Sequence, residues 1–86
     1  MKPKNQHQLV IYYLFNWEEF SLKDVINDSM FFKMQTRLSE IQAKFGNIAH
    51  SRSVGFTNRF GRKGNYKIYT SNVSNQRLIE IYKSYE

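Results

Sequence analysis

The sequence has no cysteine, a single proline and only four glycines. Without cysteine there is no disulfide framework, no thiolate zinc site and no thiol nucleophile, and the composition suits a reducing compartment, so the cytoplasm is the expected location. Long hydrophobic runs are missing as well. No apolar stretch approaches the ~20 residues that span a bilayer. The opening Met1-Lys2-Pro3-Lys4-Asn5-Gln6 lacks the apolar segment and small-residue cleavage site of a secretory leader, so neither membrane insertion nor export by that route is expected. Histidine is scarce: His7 and His50 lie far apart in sequence with no cysteine or paired carboxylates beside them, which leaves no metal site and no acid–base pair. Gly61-Arg62-Lys63-Gly64 lacks the Gly-Lys-Ser/Thr ending of a phosphate loop. No catalytic residue, metal or cofactor is expected, and the chain reads as a non-enzyme.

The most informative absence is of negative charge. Between Glu40 and Glu80 there is no acidic residue, yet the same stretch holds Lys44, Arg52, Arg59, Arg62, Lys63, Lys67 and Arg77. Five of the seven acids (Glu18, Glu19, Asp24, Asp28 and Glu40) lie in the first half, so the net charge of +6 belongs mostly to the second. A polyanion such as a phosphate backbone is the natural partner of that half.

What is present is enough for one small core. The 86 residues are 41% apolar and include seven Phe, six Tyr and one Trp. That predicts a single domain over residues 1–86, with its core in about 8–71 and a C-terminal helix over about 75–85. Val10, Tyr13, Leu14 and Trp17 recur at one-face helical spacing and predict a first helix from His7 to Phe20. Ser21, followed three residues later by Asp24, resembles a capping box and starts a short helix over about Leu22–Asn27. Asn27-Asp28-Ser29 reads as a turn, since these side chains bond their own backbone. A third helix follows from Met34, Leu38, Ile41 and Phe45, ended by Gly46. Thr36, Ser39, Glu40 and Ala43 then point away from its apolar stripe, with Lys33, Arg37 and Lys44 on one shoulder and Gln35 on the other.

After Gly46 the period changes to two. Ile48, His50, Arg52, Val54 and Phe56 form one register, and Tyr66, Ile68 and Thr70 the returning one, which predicts a hairpin with a basic connection over Thr57–Asn65. A short strand near Ser21 fits a third place in the sheet. Ser74 or Asn75 caps a closing helix marked by Leu78, Ile79, Tyr82 and Tyr85.

Three helices, a hairpin and a short C-terminal helix make an α+β order, that of a winged helix-turn-helix domain. Three runs, Lys33-Met34-Gln35-Thr36-Arg37-Leu38-Ser39-Glu40-Ile41, Gly46-Asn47-Ile48 and Asn58-Arg59-Phe60-Gly61-Arg62-Lys63, together with Tyr69, resemble a family of small winged-helix proteins encoded mainly by bacteriophages and prophages. The resemblance covers about Gln8 to Ser71. It implies DNA binding by a phage or mobile-element regulator, transcriptional or excisionase-like, with Arg37 and the wing from Arg59 to Lys63 as matching positions. Met30-Phe31-Phe32 departs from the glycine-containing turn such proteins carry between helices 2 and 3.

The expected partner is therefore double-stranded DNA, met by the third helix in the major groove and by the wing on the backbone. Lys33, Gln35 and Thr36 occupy the first turn of that helix and suit base contact; Gln can read adenine and Lys guanine, and the sequence leaves the base open. Arg37 serves base or phosphate contact or lays its stem on the core and anchors the wing, and Lys44 pairs with Glu40 or joins the interface. Arg52, Arg59, Arg62, Lys63 and Lys67 are the phosphate contacts, with Phe60 at the tip suited to groove insertion. Phe56, Tyr66 and Tyr69 read more simply as core or cross-strand pairs than as stacking platforms. A monomer of this size covers a short site, so sequence-specific regulation calls for a homodimer. The alternative is an interaction module whose protein partner docks on Met30-Phe31-Phe32 or on the apolar face of the C-terminal helix.

Overall fold

The computed structural model describes the whole chain, Met1–Glu86. Helix α1 spans Gln6–Asn16, with the Asn5 side chain accepting the Gln8 amide at its start. It stops four residues short of the expected Phe20. Trp17 is already extended, and Phe20 is drawn into a two-residue strand, β1 (Phe20–Ser21), where its ring stacks on Tyr69 at 5.9 Å. Sheet pairing outweighs the helical pattern there.

Helix α2 spans Leu22–Ser29, and the capping box forms in both directions between Ser21 and Asp24. The expected turn at Asn27–Ser29 is instead its last turn. The reason lies in a buried neighbour: the Tyr13 hydroxyl sits 2.7 Å from both the Asp28 carboxylate and the Ser29 hydroxyl. Asp28 is occupied there, and the Ser29 hydroxyl donates back to the Val25 carbonyl inside the helix rather than breaking it. The turn falls at Met30, which takes the left-handed conformation (φ 56°, ψ 30°) that glycine more often supplies.

Helix α3 runs over Met34–Phe45 and buries Met34, Leu38 and Ile41, as the spacing predicts. Gly46 ends it at φ 87°. The Gln42 side-chain oxygen then accepts the amides of Ile48 and Ala49, fixing the corner into the sheet. Strands β2 (Ala49–Thr57) and β3 (Lys63–Ser71) pair antiparallel throughout, and the sheet order is β1-β3-β2. The hairpin is longer than expected, because Thr57, Lys63, Gly64 and Asn65 belong to the ladder and the connection is only Asn58–Arg62.

Helix α4 (Asn75–Ser84), capped by Ser74, buries Leu78, Ile81 and Tyr82. Ile81, absent from the expected stripe, takes the central place, while Ile79 and Tyr85 are half-buried. The fully buried Gln8 of α1 accepts the Lys4 amide and donates to the Tyr82 carbonyl, so no polar group is stranded in this seam. Sixteen residues form one continuous core, running from Val10 in α1 to Tyr82 in α4.

The result is a small α+β fold of four helices and a three-stranded antiparallel sheet, compatible with a winged helix. No helix is long and apolar enough to cross a membrane. The hairpin projects from the body, giving extents of 45 × 23 × 21 Å.

Candidate nucleic-acid interface

Helix α3 turns its polar face outward as the wheel predicts. Gln35, Thr36, Ser39, Glu40 and Ala43 line a shallow open depression, with Lys33 exposed at the helix start. Gln35 donates to the Tyr69 hydroxyl at 2.8 Å, which ties the first turn of α3 to β3. One of its amide protons is therefore engaged, and its carbonyl oxygen stays free.

Arg37 is placed differently. Its guanidinium grips Glu40 at 2.9 and 3.1 Å and the Gln6 oxygen at 2.8 Å, so it braces α3 against α1. Glu40 also meets His7 at 2.8 Å. Hydrogen bonds from Arg37, and then from His7, hold the Glu40 carboxyl below the usual carboxylate range. Lys44 lies in the last turn, its ammonium over the Phe45 and Tyr85 rings at 5.2 and 5.3 Å. Eleven residues of helix at 1.5 Å each put it about 16 Å along the axis from Lys33. Arg37, tied to α1, and Lys44, over Tyr85 at the end of α4, thus belong to the α1–α3–α4 seam.

The hairpin sorts its residues by parity, since alternate strand residues face opposite sides. The pairs Ser51–Tyr69, Ser53–Lys67, Gly55–Asn65 and Thr57–Lys63 share the face on which Tyr69 meets Phe20 and Gln35. Arg52, paired with Ile68, lies on the other face and bonds Glu19 at 3.1 Å. It is thereby separated from Gln35 and Thr36.

At the tip, the Asn58 side-chain oxygen accepts the amides of Phe60 and Arg62, and its own amide donates to the Arg62 carbonyl. Gly61 sits at φ 79° and closes the turn. The loop thus presents Arg59, Phe60 and Arg62 from a hydrogen-bonded frame. The Arg59 guanidinium lies over the Phe60 ring at 4.8 Å, and that ring is 75% exposed. None of Lys23, Lys33, Arg59, Arg62, Lys63 or Lys67 takes part in the four ion pairs of the molecule.

A groove of about 830 Å³ joins these parts, lined by Ser21 to Asp24 at the start of α2, by Gln35, and by Ser53, Phe56, Asn65, Tyr66 and Lys67 of the hairpin. Lys67 and Gln35 were expected at an interface. Lys23, Ser53, Asn65 and Tyr66 were not, although counting by twos from Tyr69 through Lys67 to Asn65 places one of these four, Asn65, on the face of Lys67. No cluster of His, Asp or Glu suited to a metal ion is present. Comparison with protein-family models, with characterised proteins and with solved structures returned no match.

Proposed function

We propose that this chain is a winged helix-turn-helix protein that binds double-stranded DNA, with the first turn of α3 directed to the major groove and the β2–β3 hairpin lying as a wing along the backbone. One observation carries the reading: Arg59, Arg62, Lys63 and Lys67 run along the hairpin without an acidic partner, and Lys67 shares a groove with Gln35 of α3. Unpaired cations in a row gain most from displacing the counterions of a duplex. Lys33, Gln35 and Thr36 are the groove-facing candidates, and Lys23 adds a phosphate contact at the start of α2. The setting proposed is regulation of a phage or mobile element, transcriptional or excisionase-like, on the strength of the α3 and wing sequences. No cofactor enters this reading.

The experiment is equilibrium binding to random duplex across a salt series. If Lys23, Arg59, Arg62, Lys63 and Lys67 are engaged, log K falls against log salt with a slope of roughly −4 to −5. A slope near −1, or no binding at low salt, would remove the proposal. The protein-partner reading has less support. Phe31 and Tyr82 are buried and Tyr85 is half-buried, so the apolar surface shrinks to Met30 and Phe32, 69% and 61% exposed at one turn.

A further inference from the structure

The wing carries more than charge. Phe56 and Tyr66 form a cross-strand pair with ring centroids 6.0 Å apart, and both rings remain nearly half exposed. The Cζ end of the Phe56 ring lies against Gly64, where an added Cβ would stand 2.7 Å from Cζ. Gly64 therefore makes the berth for this ring. Neither aromatic belongs to the core.

Both rings line the groove described above, and its position explains why. Asn65, Tyr66 and Lys67 are consecutive, so a groove touching all three runs along the edge of β3 rather than over one face. That edge is open because β1 pairs only with Ile68 and Tyr69. The groove thus combines two rings, the apolar Leu22, the amides of Gln35 and Asn65, and the ammonium groups of Lys23 and Lys67. Its one acid, Asp24, is engaged by the Ser21 amide and hydroxyl at 2.8 and 3.1 Å. About 830 Å³ lies within the range of small-ligand sites and exceeds what a single phosphate requires.

Resting on the DNA-binding reading, we infer that this groove takes one unpaired nucleotide, so that the protein prefers a duplex bearing a single-stranded tail to a blunt duplex. The charge of the wing selects a nucleic acid, and the exposed rings select a base that has left its stack. The base lies against Tyr66 and Phe56, the Gln35 and Asn65 amides meet its edge, and Lys23 and Lys67 hold the flanking phosphates. A fully paired duplex offers only phosphates here, because its bases are covered on both faces.

The test compares blunt duplex with the same duplex carrying a short 5′ or 3′ thymine tail that contains one 2-aminopurine. The expected result is tighter binding of one tailed duplex by about fivefold or more, the lower end of what one base–aromatic stack gives. The 2-aminopurine fluorescence should be quenched on binding. Tyr66→Ala should abolish the quenching and bring the tailed and blunt duplexes to equal affinity. Phe56→Leu, which keeps the apolar bulk but removes the ring, should reduce both, and far-ultraviolet circular dichroism would check that each variant is folded. Equal affinity for tailed and blunt duplex overturns the inference and leaves the DNA-binding reading standing. A preference that survives in Tyr66→Ala overturns the assignment to this groove. Binding to neither DNA removes both readings together.

Discussion

At the scale of single residues, Tyr13 controls more than its hydrophobic spacing announces. Burial pushes its hydroxyl up to about 12, with Asp28 adding to the rise and Ser29 opposing it. The neutral phenol is the form the fold prefers. Its contribution to stability is therefore complete below the ordinary value of about 10 and is lost as pH rises through about 12. Alkaline unfolding followed by circular dichroism should fall in that interval, and Tyr13→Phe should shift it. The same variant should cost about 1–3 kcal/mol at neutral pH, since Asp28 and Ser29 lose a partner, and urea unfolding would measure it. Glu40 works with the opposite sign. Its lowered carboxyl supports the fold above the usual carboxylate range, and that support goes as pH falls through the folded value. Sequence spacing found Tyr13 as a core residue, but an effect that requires Asp28 and Ser29 to come close in space is invisible to a one-dimensional pattern.

At the scale of elements, boundaries were legible where a local interaction sets them and obscure where a distant one does. The Ser21–Asp24 capping box and the Gly46 stop are local, and both occur where the sequence places them. Ser21→Ala should destabilise by about 0.5–2 kcal/mol through the lost cap. Gly46→Ala should cost about 1–3 kcal/mol, because no atom lies within 4 Å of the added Cβ and only the positive φ opposes it. Denaturant midpoints of the two variants would check both values. The end of α1 depended on Phe20 meeting Tyr69, and the end of α2 on Tyr13 reaching across from α1, so neither could be read from its own window. The same holds for the site. Spacing supplied the outer face of α3 and the charged hairpin, but only the strand register separates Arg52 from Lys67, and only the packing of α2 beside the open edge of β3 brings in Lys23.

For the molecule as a whole, the distribution of charge matters more than its total. If the proposed interface is right, Lys67→Ala should reduce the magnitude of the salt slope by about 1, while Arg52→Ala, on the opposite face and paired with Glu19, should leave it unchanged. Filter binding or fluorescence anisotropy across a salt series distinguishes the two. Comparable losses from both variants would mean that the duplex embraces both faces of the hairpin.

The hairpin reaches beyond the sixteen-residue core, and from Gly55 to Tyr66 it contributes nothing to that core. On the proposed reading, the arm carries contact without cohesion. If the arm does meet the target, a side-chain substitution there, away from Gly61 and Gly64, would alter what the molecule touches without loosening what holds it together, so new target preferences would be open to natural variation by single steps.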